Sequence, residues 1–132
     1  MTLAPLLAAP LVIRIHALTA LAAFAIGLVQ FAAPKGTLPH RIVGWSWAGL
    51  MLSVAISSLF IHLLQTWGKW SPIHLLSILV LVTLPAALWA AHRHEVRWHR
   101  RAMTLLVLGA LVIAGGFTLL PGRIMHRVVF GG

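Results

Sequence analysis

The chain has 132 residues, 61% of them apolar and only 8% charged, and a mean hydropathy of +1.00. A water-soluble domain carries about a quarter charged residues, so this composition speaks against a soluble monomer. The net charge of +9 would suggest nucleic acid on a soluble chain. Here the basic residues sit mostly in connections between apolar runs, the usual pattern of an integral membrane protein, and no nucleic-acid partner is expected.

Residues 1–10 are apolar with two prolines, Pro5 and Pro10, and predict an interfacial or irregular lead-in. They are not expected to act as a secretory signal: no basic stretch precedes the apolar run, and Arg14 and His16 interrupt it. Four apolar runs follow, each about the 20 residues that a spanning helix needs, at 11–32, 41–64, 73–91 and 101–120. Between the first two lie Pro34, Lys35, Gly36 and Pro39. Trp67, Gly68, Lys69 and Trp70 fill the second connection, and a histidine- and arginine-rich stretch around Glu95 fills the third. Connections this short force antiparallel neighbours, so the expected fold class is all-α: one integral membrane up-down four-helix bundle over residues 1–132. Pro85 removes a backbone hydrogen bond within the third run and predicts a kink. The tail after Pro121 is short and basic.

The six tryptophans mark the run ends as an aromatic belt: Trp45, Trp47, Trp89 and Trp98 toward one face, Trp67 and Trp70 toward the other. Lys35, Arg41, Arg93, Arg97, Arg100 and Arg101 outnumber Arg14, Lys69, Arg123 and Arg127 on the opposite face. This bias puts the first and third connections in the cytoplasm and both termini outside. The expected location is a bacterial inner membrane.

Cysteine is absent, which excludes disulfides and thiolate metal sites, and Glu95 is the sole acidic residue. Carboxylate pairs for acid–base catalysis and carboxylate relays for transport are therefore missing, and no catalytic residues are predicted. The chemistry left is that of eight histidines. His16 and His74 open the first and third runs on the outer face; His40 and His99 open the second and fourth on the inner face. His62 lies about 33 Å along its helix from His40 and belongs to the outer level. In an up-down bundle the first and third helices are diagonal, as are the second and fourth. A diagonal histidine pair can clamp a flat macrocycle, so two pairs would hold one or two b-type haems stacked across the bilayer. Arg41, Arg100, Arg101 and Lys35 inside, and Arg14 and Lys69 outside, are cations for haem propionates. Ala20, Ala23 and Gly27 after His16, and Gly44 and Ala48 after His40, leave room for a ring or simply allow close helix approach. An alternative for the outer face is a copper or zinc site built from His16, His62 and His74. His92, His94 and His126 read as interfacial side chains.

His40-Arg41-Ile42-Val43-Gly44-Trp45, His99-Arg100-Arg101-Ala102-Met103 and Gly27-Leu28-Val29-Gln30 carry a family resemblance. They resemble the motifs of an uncharacterised bacterial family of predicted four-helix membrane proteins, with His-Arg-x-x-Gly as its signature. The resemblance covers about residues 16–120 and implies the four-helix fold. A more distant likeness, in arrangement alone, is to the di-haem transmembrane b-type cytochromes, whose core helices carry ligand histidines in diagonal pairs at two levels. This chain lacks their flanking helices, and its histidines lie nearer the helix ends. Two functions compete. One is a membrane electron-transfer protein that exchanges electrons with a quinone or other redox partner. The other is a small non-catalytic structural or assembly subunit, a homo-oligomer or part of a larger membrane complex.

Overall fold

The computed structural model describes residues 1–61 and 72–131. Its elements are all helical: α1 (Ala4–Leu7), α2 (Leu11–Ala32), α3 (Leu38–Leu59), α4 (Pro72–His92), α5 (Val96–Phe117) and α6 (Ile124–Phe130). Four of them, α2 to α5, are long and apolar enough to cross a membrane. Side-chain bonds fix their directions. Gln30 near the end of α2 reaches His40 at the start of α3. Ser58 near the end of α3 pairs with Ser77 near the start of α4, and His99 early in α5 pairs with Ala87 late in α4. Neighbours are thus antiparallel. α5 also packs against α2, which closes the ring into an up-down bundle.

The bundle has two unlike ends. The hairpin end holds the α2–α3 and α4–α5 connections. The terminal end holds α1, α6 and the ends of α3 and α5. There the backbone N–H of Thr2 donates to the carbonyl of Val128 at 3.0 Å, joining the two short helices.

Local chemistry accounts for the helix limits. α3 begins at Leu38, earlier than the run from 41, because Thr37 is an N-cap whose side chain accepts from the His40 N–H at 3.2 Å, and Pro39 suits the first turn. The Lys35 ammonium caps α2, donating to the carbonyls of Gln30, Phe31 and Ala33 at 2.5, 2.9 and 2.6 Å. α4 runs unbroken through Pro85. The third connection is shorter than its polar composition suggests, since α5 starts at Val96 and includes His99, Arg100 and Arg101. Its middle, Leu106–Ile113, is π-helical and presents Leu106, Val107 and Leu111 to the core.

The core is Ala23, Trp47, Ala48, Met51, Ala55, Val80, Leu84, Leu106, Val107 and Leu111. Trp47 does not belong to an aromatic belt. It is 4% exposed and its indole N–H donates to the Ala23 carbonyl on α2 at 3.0 Å. Gly27 makes this possible, because a Cβ there would lie 3.3 Å from Trp47 Nε1. Gly44 sits under Gln30, where a Cβ would lie 3.4 Å from Nε2, an ordinary contact. Gly27 therefore eases the close approach of Trp47 to α2. The exposed Leu, Ile, Val and Phe side chains around the outside form a lipid-facing surface, as bilayer-embedded helices require.

Candidate functional site

The histidines of the four long helices lie toward the two ends of the bundle. At the hairpin end, His40 and His99 come from the diagonal helices α3 and α5. His99 Nδ1 is 2.9 Å from the Ala87 carbonyl on α4. Donation from Nδ1 fixes the tautomer and leaves Nε2 as the basic nitrogen, the arrangement seen in ligating histidines. His40 Nδ1 is buried and has no hydrogen-bond partner. Its carbonyl accepts from Gln30 Nε2 at 2.7 Å, so two of the three sequence motifs meet here. A recess of about 400 Å³ lies beside it, lined by Val29, Gln30, Pro34, Thr37, His40 and Val43. Trp47 and Met51 fill the bundle below and confine any bound group to this end.

At the terminal end, His16 on α2 turns toward α3, with Nδ1 3.0 Å from both the Val54 carbonyl and the Ser57 hydroxyl. Ser58 donates to the Ala55 carbonyl at 2.7 Å and pairs with Ser77 on α4. His74 is one turn before Ser77 on α4 and only 3% exposed. Among the described residues, the buried serines and the buried histidine are all at this end: Ser57, Ser58, His74 and Ser77. The serines are what the histidine pattern alone passed over. The signal for them was present as hydroxyls within otherwise apolar runs.

His62, Trp67, Lys69 and Trp70 lie outside the described residues, and with His62 so does the three-histidine arrangement with His16 and His74. Among the described residues no group of three metal-ligating side chains converges. His92 and His94 are exposed, with the His92 ring stacked on Trp89 at 5.6 Å. His126 Nδ1 is 2.7 Å from the Leu119 carbonyl. Arg41, Arg100 and Arg101 are exposed on the outside of the bundle. The one ion pair among the described residues is Arg93 with Glu95, at 3.6 Å.

An antiparallel ring of four apolar helices, with histidines toward its ends, defines a small integral membrane bundle. The chain belongs to the family described as predicted membrane protein (DUF2306), whose model matches residues 13–129. No curated relative and no solved structure matches it.

Proposed function

We propose that this membrane protein carries electrons through a b-type haem held at the hairpin end by His40 and His99. The observation that carries the reading is the placement of these two histidines. They sit on diagonal helices at one level, His99 with Nδ1 tied to Ala87 and His40 with a buried Nδ1 that no protein group satisfies. The imidazoles of His40 and His99 would hold the haem, which when bound would supply one-electron chemistry. The chain's own contribution is orientation. Ala87 holds the His99 ring, the Thr37 cap and Gln30 fix the first turn of α3 that bears His40, and the packed core below excludes water. His16 and His74 would hold a second haem at the terminal end on the same plan; copper or zinc with His62 is the alternative there. The electron partner would be a quinone or another redox protein, and the proposed setting is the inner membrane of a bacterium.

Absorption spectra with a pyridine haemochrome assay on the purified full chain test this. The expected result is a Soret band with split visible bands. His40→Ala and His99→Ala should each remove one haem while the protein remains membrane-inserted, and His92→Ala should leave haem content unchanged. Haem retained in both variants would overturn the ligand assignment. A native protein without haem, copper or zinc would favour the structural or assembly subunit.

A further inference from the structure

The outward side of α5 carries a second chemistry, independent of any haem. At 100° per residue, Arg97, Arg100 and Arg101 lie within about 100° of arc on one side of the helix. The buried Ala102 and Leu106, and the half-buried His99, lie on the other. All three arginines are exposed, within the first two turns of a helix that can span the membrane. Exposed Trp45, Trp89 and Trp98 surround the same end of the bundle and mark headgroup depth. These guanidinium groups therefore face lipid headgroups, away from the bundle interior.

The chain cannot neutralise them. Its sole carboxylate, Glu95, is beside Arg93. Lys35 is spent on the α2 carbonyls, and Arg41 adds a further exposed cation at this end. The counter-charge must come from outside, and at headgroup depth the anion available is phosphate. Arginine suits it, because the planar fork donates two parallel hydrogen bonds to phosphate oxygens. A lipid of net negative charge gains from every cation nearby, whereas a zwitterionic one carries its own ammonium.

We infer that Arg97, Arg100 and Arg101 form a binding site for the phosphate of an anionic phospholipid on the outward side of α5. Full-length protein reconstituted with phosphatidylcholine and phosphatidylglycerol, then extracted in detergent, tests this by counting co-retained lipids with mass spectrometry. Phosphatidylglycerol should be retained well above its share of the mixture. Each Arg→Gln change should weaken retention about fivefold, the equivalent of about 1 kcal/mol per basic residue near the surface. Arg123→Gln with Arg127→Gln, at the opposite end, should have no effect. Should Arg97→Gln or Arg100→Gln protein fail to insert, single Arg101→Gln protein and a wash of the native protein at about 0.5 M salt carry the test, and both should release lipid. Equal retention of the two lipids by native protein, or unchanged phosphatidylglycerol in the variants, would overturn the site.

Discussion

Gly27 and Trp47 show how much one missing methyl group decides in this bundle. Lipid is as apolar as leucine, so helices in a membrane are held together by close packing and interhelical hydrogen bonds. Trp47 supplies both, filling the space over Gly27 and donating to the Ala23 carbonyl. Gly27→Val would drive branched carbons into the indole and into Val107, which already lies 3.7 Å from the position of a Cβ. Overpacking of this kind costs about 1–3 kcal/mol, and denaturant titration in micelles should read a loss of that size. Trp47→Phe keeps most of the ring but loses the N–H donor, and should cost about 0.6 kcal/mol for the bond itself. Sequence alone could place Gly27 on a stripe of small residues. It could not say whether the space belonged to a cofactor or a side chain, because Trp47 lies near enough to a helix end to pass for a headgroup anchor. The histidines were more legible. Their positions along the runs put His40 and His99 at one end and His16 and His74 at the other. What the sequence withheld was the partner of each ring nitrogen, which depends on rotation about the helix axis.

Helix ends are the elements most open to redesign. The α4–α5 turn has His94 at φ 61°, with the Glu95 N–H donating to the Ala90 carbonyl at 2.8 Å and the His94 N–H to the Ala91 carbonyl at 3.1 Å. These are the paired bonds of a Schellman cap, whose left-handed position glycine normally takes. A non-glycine residue there costs about 1–2 kcal/mol, so His94→Gly should raise stability by roughly 1 kcal/mol. It should do so without altering lipid retention or haem content, and a lower unfolding midpoint would contradict this account of the turn. At the start of α3, Thr37→Ala should cost about 1 kcal/mol through loss of the cap. It should also loosen the turn that carries His40. The polar composition between 92 and 100 reads as a loop, yet α5 begins at Val96. Hydropathy marks where a helix enters the apolar layer, and a helix starting in the headgroup region carries its arginines outside that layer. This is why the spans were clear from sequence and their polar ends were not.

For the whole molecule, four apolar runs of spanning length dictate an even number of crossings and put the two termini on one side. A cytoplasm-only reporter fused after Gly132 should be inactive and one fused within the α4–α5 turn active, given the excess of arginine and lysine at the hairpin end. The opposite pattern would invert the bundle without changing its fold. The contact between α1 and α6 has a consequence for the order of manufacture. A growing chain delivers α2 and α3 to the membrane first, and they can pair as a hairpin as soon as both have emerged. The bond from Thr2 to Val128 must wait, since all four long helices lie between the two residues in the chain. That clasp cannot close before α6 has been made, and a nascent chain stalled short of α6 would hold its helices in the bilayer with α1 still unfastened.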